Sequence, residues 1–188
     1  DFADLPAQGR FLDAGSGTGA LAFVVAERRP HAVMHGIDPS KEYVEFARSR
    51  NPVPDRVSFE TGDAQALRFP EASFDASLSL LVFNFIPELG KAAREVCRVT
   101  KRGGPIAAAV WDYGGAMRML RLFWDAAVAV DRTAEPSDEQ HMPLCRGGEL
   151  EALWKEVGLE NVTERPLDIA MQFVSFADYW DPFLLGQG

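Results

Sequence analysis

The sequence predicts an α/β fold built on a doubly wound, mostly parallel sheet of seven strands, with the C-terminal strand antiparallel. Two observations lead there. Through the first 111 residues short apolar runs alternate with stretches of helical periodicity, and those runs are almost continuously apolar, as parallel strands buried on both faces require. The chain also has the size and make-up of one such domain: 188 residues and 20.7 kDa, 47% hydrophobic and 25% charged, with a mean hydropathy of -0.11.

Arg10-Phe11-Leu12-Asp13-Ala14 reads as the first strand and runs into Gly15-Ser16-Gly17-Thr18-Gly19. A helix over 20–29 follows, basic in its last turn and stopped by Pro30. Residues 32–37 form the second strand, and Asp38-Pro39-Ser40 turns into a helix marked by Tyr43, Phe46, Ala47 and Arg50. The third strand is expected at 57–61 and the fourth at 74–82. Leu89, Ala92, Val96 and Val99 define the next helix, Gly103-Gly104-Pro105 stops it, and 106–111 is the fifth strand. Beyond that point the rhythm changes. Leu120, Phe123, Trp124, Ala127 and Val128 mark a long helix, 132–146 lacks periodicity and is expected to be a loop, and Leu150, Leu153, Trp154 and Val157 mark a helix closed by Gly158. Residues 161–168 and 171–176 alternate like an antiparallel pair, and 177–185 begins a last helix. This divides a single domain over 1–188 into a first half, 1–112, and a second, 113–188.

Nineteen basic against 28 acidic side chains give a net charge of -9 and a pI near 4.8. Phosphate backbones select for basic surfaces, so this balance excludes a nucleic-acid partner, and it disfavours anionic membranes. The longest apolar runs fall far short of the ~20 residues a membrane-spanning helix needs. Cys97 and Cys145 form no C-x-x-C pair, and only His31, His35 and His141 accompany them, so no metal site is expected and the thiols read as reduced and cytoplasmic. No leader pattern opens the chain, Asp1 is not a methionine, and truncation at both ends is expected.

The glycine loop alone leaves two readings open. Gly15-x-Gly17-x-x-Ala20 satisfies the dinucleotide fingerprint between a strand and a helix, which would suit NAD(P) and a reductase. The acids separate the readings. Asp13, Asp38 and Asp63 recur every 25 residues, each at or just past the end of a successive strand, and those ends converge on one crevice in a doubly wound sheet. A dinucleotide pyrophosphate beside Asp13 would meet like charge, on the order of 3 kcal/mol at ~5 Å and an effective dielectric of about 20. S-adenosylmethionine (SAM) brings a sulfonium, an ammonium, ribose hydroxyls and an adenine amine, all suited to carboxylates.

Phe11-Leu12-Asp13-Ala14-Gly15-Ser16-Gly17-Thr18-Gly19, Gly36-Ile37-Asp38-Pro39-Ser40 and Gly62-Asp63-Ala64 resemble, in order, the first three motifs of the class I SAM-dependent methyltransferases. Phe69-Pro70 through Phe74-Asp75 to Leu80-Leu81-Val82-Phe83-Asn84 resembles the fourth, and Lys101-Arg102-Gly103-Gly104 the turn into strand five. The likeness spans about residues 9 to 112 and is nearest the small-molecule branch around the ubiquinone and menaquinone C-methyltransferases, the type 11 methyltransferases. It implies a Rossmann-like sheet, SAM as cofactor and S-adenosylhomocysteine as product. It also implies cofactor contacts at Asp13, Gly15, Ser16, Gly17, Gly19, Asp38, Pro39, Gly62, Asp63, Ala64 and Leu80, with the glycines under the methionine part, Asp38 on the ribose hydroxyls, and Asp63 with the Ala64 amide near adenine.

Two features depart from the family pattern: its leading helix is absent, and Asn84 stands where many relatives carry histidine. Asn84 is not followed by the Pro-Pro-aromatic of nucleic-acid amino-group methyltransferases, which argues against base flipping. A small, partly apolar acceptor is expected near Phe83, Asn84, Phe85, Trp111, Tyr113, Met117, Met119, His141 and Met142. Asp112, Tyr113 and His141 are the candidate bases; no catalytic residue and no oligomeric state is assigned. Structural readings stand beside these: turn glycines, Asp38 as a helix cap, Asp63 as a turn acid, and Phe123, Trp124 and Trp154 as core. A SAM-binding module that transfers nothing is the third functional alternative.

Overall fold

The computed structural model describes residues 2–184. In chain order the elements are β1 (Gln8–Ala14), α1 (Ala20–Arg28), β2 (His31–Asp38), α2 (Lys41–Ser49), β3 (Val57–Thr61), β4 (Ala76–Leu80), α3 (Leu89–Val99), β5 (Ile106–Ala109), α4 (Arg118–Val130), α5 (Glu149–Glu156) and α6 (Phe176–Leu184). Short 3-10 turns occupy Phe83–Phe85, Arg132–Ser137 and Glu139–His141, so the stretch expected as a featureless loop holds two of them. The strands form one parallel sheet in the order β3-β2-β1-β4-β5.

That order makes the sheet doubly wound. The chain steps outward from β1 through β2 to β3, then returns to the other side of β1 for β4 and β5, which puts the switch point between β1 and β4. One face packs Phe11, Met34, Val57, Phe59, Ala76 and Leu78 beneath α1 and α2. The other packs Leu12, Ala14, Ile37 and Phe74 against α3 and α5. Phe11 and Phe74 are wholly buried, and burial on this scale contributes about 1.5–3 kcal/mol per side chain.

α3 buries Ala92, Ala93, Val96 and Val99 along one stripe, and its polar side holds the helix-free link between β3 and β4. Arg98 donates to the carbonyls of Leu67 at 2.9 Å and Phe69 at 2.8 Å, while the Glu95 carboxylate accepts from the Leu67 amide at 2.9 Å. These bonds do for that link what a crossover helix does elsewhere in the sheet.

Three expectations need correction. The fourth strand ends at Leu80 rather than residue 82, because Leu81 turns into the left-handed region at φ 60. The fifth ends at Ala109 rather than residue 111, because the Trp111 amide donates to the Asn84 side chain instead of a neighbouring strand. Among the described residues the sheet has five strands, all parallel, not seven. Residues 161–175 pair with no strand, and Leu167, Ile169 and Val174 are 76%, 76% and 95% exposed. Alternation there is a pattern without a neighbour to bury it. The expected end of the last helix at residue 185 lies outside the described residues.

An apolar groove of about 270 Å³ runs along the α1 face, where Leu21, Val24, Leu78, Leu80 and Ala109 line it with Arg28 at one end. None of the three strand-end acids lines it. Among the described residues no helix is long and apolar enough to cross a membrane, and no cluster of His, Cys, Asp and Glu could hold a metal ion.

Candidate functional site

Parallel register staggers the acids across the sheet's carboxyl end. Asp13 lies opposite Gly36, Asp38 lies opposite Thr61, and Asp63 follows two residues beyond. Because each strand runs further than the last, the β1 loop is drawn over β2: the amides of Gly15 and Ser16 both donate to the Ile37 carbonyl at 2.8 Å. The Gly62 amide joins β3 in the same way, donating to the Asp38 carbonyl at 3.0 Å.

The glycines of the loop do two different jobs. Gly15 has φ 79, and a Cβ there would stand 2.4 Å from the Val82 side chain, so the loops after β1 and β4 touch backbone to side chain at the switch point. Gly17 has φ 51, and a Cβ there would meet no protein atom within 4 Å. It opens on the crevice. Its amide donates to Asp38 Oδ2 at 2.9 Å, and the other carboxylate oxygen of Asp38 accepts from the Ser40 amide at 2.9 Å. Ser40 then caps α2, its hydroxyl accepting from the Tyr43 amide. Asp38 is thus 8% exposed but paired, with lone pairs to spare for a ligand. Pro39 is exposed beside it.

Asp13 is different: it is completely buried, and neither carboxylate oxygen has a hydrogen-bond partner. Its carboxyl is pushed up to about 7, chiefly by burial; the Ala22 amide opposes the rise and the Asp38 charge adds to it. The Ser16 hydroxyl is likewise buried and unpartnered. Asp63 is exposed, with its carboxylate accepting from the Gln65 amide at 2.8 Å and the Gln65 side chain at 3.0 Å. Gln65 in turn accepts from the Glu88 amide, which ties the Asp63 turn to the start of α3, and the next residue, Ala64, is buried.

The acceptor-side residues scatter more. Phe83 is buried against Trp154, ring centroids 5.2 Å apart, and faces the core. Asn84, 2% exposed, donates to the carbonyls of Trp111 and Pro143 and accepts from the Trp111 amide at 2.8 Å, so it clamps two segments together. Trp111 stacks on Tyr113 at 6.1 Å, in a cluster that includes Met117, Met119, Leu120, Met142 and Cys145. Phe85 and His141 are exposed. Leu80 lines the α1 groove rather than the acids.

Two features have no sequence counterpart. Leu81, at φ 60, is backbone strain at the switch point, invisible in a leucine codon by codon. Arg121 makes a two-pronged ion pair with Asp138 at 2.7 and 2.6 Å and donates to the Tyr113 carbonyl, fixing the 131–146 segment against α4. A separation of 17 residues in the chain gave no periodic signal for it.

The carboxyl end of the sheet thus carries an open glycine loop, two unpartnered Asp13 oxygens, an unpartnered Ser16 hydroxyl and a paired Asp38, a set whose chemistry suits a cationic, hydroxyl-bearing cofactor such as SAM. Residues 12–108 match the family described as a methyltransferase domain, and the chain belongs to this family of SAM-dependent methyltransferases. The nicotinamide reading falls with that assignment. The malonyl-[acyl-carrier protein] O-methyltransferase of Methylococcus capsulatus is 33% identical over 121 residues, 64% of this chain and 44% of that protein. The demethylmenaquinone methyltransferase of Thermus thermophilus is 36% identical over 105 residues, 55% of this chain and 48% of that protein. The crystal structure of YcgJ from Bacillus subtilis superposes with a TM-score of 0.62 at 26% identity, covering 83% of this chain and 64% of that one. The chain spans less than half the length of the curated relatives it matches.

Proposed function

We propose that this chain binds SAM in the crevice over β1 to β3 and transfers its methyl group to a small-molecule acceptor held beyond the ends of β4 and β5. The observation that carries the reading is the open face of Gly17, tied to Asp38, with Asp13 and Asp63 at the carboxyl ends of the strands on either side of β2. Bound SAM supplies an electrophilic methyl on a positively charged sulfur. The protein's part is then to bind, orient and exclude water, and holding two reactants in line is worth up to ~7–11 kcal/mol.

In this reading the backbone of Gly15, Ser16, Gly17 and Gly19 lies under the methionine part, and Asp38 accepts the ribose hydroxyls beside Pro39. Gly62, Asp63 and the Ala64 amide hold the adenine. Residues 1–112 are the SAM-binding half and 113–188 the acceptor half. Trp111, Tyr113, Met117 and the exposed His141 border the acceptor, while Phe83 and Asn84 support that border from beneath. The reading includes a cytoplasmic location and no nucleic-acid partner, supported by the free cysteines and the net charge of -9.

Mass spectrometry of small molecules released from freshly purified, denatured protein tests the cofactor, with SAM or S-adenosylhomocysteine expected. Thermal stabilisation by NADH and none by SAM would overturn it. Methyl transfer to any acceptor disposes of the reading as a binding module that transfers nothing.

A further inference from the structure

Three aspartates are buried among the described residues, and only one of them is uncompensated. Asp38 accepts two backbone amides, and Asp138 accepts the Arg121 fork and the Gln140 amide. Asp13 has no partner within hydrogen-bond distance, with only the Ala22 amide acting on it, at 0% exposure and four residues before the open Gly17. A buried carboxylate without a donor is the costliest arrangement of the three, and it relaxes either by taking up a proton or by gaining a cation.

The surroundings supply no cation. On β1 itself the nearest charged side chain is Arg10, three residues back. β2 sets Gly36 opposite and Asp38 just beyond, and Asp38 is a like charge. β4 sets Leu78 opposite, with the neutral Ser77 and Ser79 on either side. His35 and Glu60 belong to the other face, where His35 packs on Phe69 and Phe74. α1 offers the Ala22 amide, and its charged Glu27 and Arg28 are confined to the last turn; the charged residues of α2 are all exposed. What reaches Asp13 with positive charge must come from the crevice.

We propose that Asp13 is the charge-selecting anchor of the cofactor site: it is protonated in the free protein and releases that proton to solvent as SAM binds, so that the cofactor's positive charge takes the proton's place. The inference rests on the SAM-binding reading and deepens it. Charge balances: a neutral carboxylic acid and a cationic ligand become an ion pair plus one proton in solution. With the free carboxyl near 7, the protonated fraction is set by pH through the physiological range.

Isothermal titration calorimetry of the whole chain with SAM, in two buffers of different ionisation enthalpy at pH 6.5, should count about three quarters of a proton released per SAM bound. The dissociation constant should tighten about eightfold between pH 6 and 7.5, a window below the cofactor amine's own titration near 7.7–8.0. Asp13→Asn, of the same shape and uncharged, should bind more weakly, release no proton and be flat over that window. Binding by the native protein without proton release, or an equal pH dependence in Asp13→Asn, would overturn the inference and leave SAM binding standing. No binding heat from the native protein at any pH would instead sink the cofactor reading itself.

Discussion

The Gly17 amide donates to the Asp38 carboxylate at 2.9 Å, so the acid at the end of β2 holds the glycine loop with the same side chain that, in the proposed site, accepts the ribose hydroxyls. Asp38→Ala removes both functions. SAM affinity should fall by about 1.5–3 kcal/mol, the loss of hydroxyl bonds to a charged acceptor, read as at least a tenfold rise in dissociation constant. Asp63→Ala should cost less, since the Ala64 amide survives it and the exposed Asp63 carboxylate is already engaged with Gln65. An unchanged affinity in Asp38→Ala removes that residue from the site.

Gly17 and Gly15 make a matched pair for separating cofactor space from protein packing. A side chain at Gly17 meets no protein atom, so Gly17→Val should fold, at about 1–2 kcal/mol of backbone strain, and lose SAM binding because it fills the crevice. Gly15→Val drives into Val82 and should lower the melting temperature well before binding is tested. Far-ultraviolet circular dichroism with calorimetry distinguishes the two, and normal SAM binding by Gly17→Val would make that glycine a turn residue only.

Local pattern makes β1, β2, β3 and the acids that follow them legible, because each apolar run, each glycine and each strand-end carboxylate lies within one short window of sequence. Asn84 shows why the rest is not. Its side chain joins residues 111 and 143, partners 27 and 59 positions away, and no spacing rule connects an asparagine to two backbone carbonyls. Phe83, taken from sequence as an acceptor contact, points into the core for a similar reason: Leu81 ends the strand at φ 60, and the turn that follows buries Phe83 against Trp154. Residues 161–175 show the converse, a strand pattern whose pairing depends on an edge elsewhere in the fold.

The Arg121 and Asp138 pair should contribute strongly to the stability of the segment from α4 to residue 146. Asp138 is 3% exposed; burial alone would raise its carboxyl, but the Arg121 hydrogen bonds prevail and hold it below the ordinary carboxylate value. Such a pair stabilises the fold above the unfolded carboxyl's value of about 3.9 and loses its effect as pH falls through the lower folded value. Arg121→Met leaves a buried charge unpaired and should cost on the order of 3 kcal/mol in urea unfolding at pH 7. The gap between variant and native protein should narrow below about pH 4; a gap that is the same at both pH values would deny the pair its role.

Tyr113 and Met117 test where the acceptor binds. Both follow β5 at the carboxyl end of the sheet, where open α/β sheets bind their ligands, and Tyr113 stacks on Trp111 at 6.1 Å while Met117 packs in the same cluster. Asn84 fixes the Trp111 backbone, and Arg121 fixes the Tyr113 carbonyl, so the apolar surface is held by polar bonds to backbone as well as by its own packing. Such a surface suits an acceptor bound through apolar area and oriented by a few polar groups. Tyr113 is 9% exposed, so its truncation will also lower stability, and Tyr113→Phe with Met117→Ala serves as the milder pair beside Tyr113→Ala with Met117→Ala. In both pairs SAM affinity by calorimetry should stay within about twofold of native, a shift of ~0.4 kcal/mol, while turnover of the acceptor falls, most in the double alanine. Parallel loss of SAM affinity would assign these side chains to the cofactor site or the core. Undiminished turnover would move the acceptor away from β5.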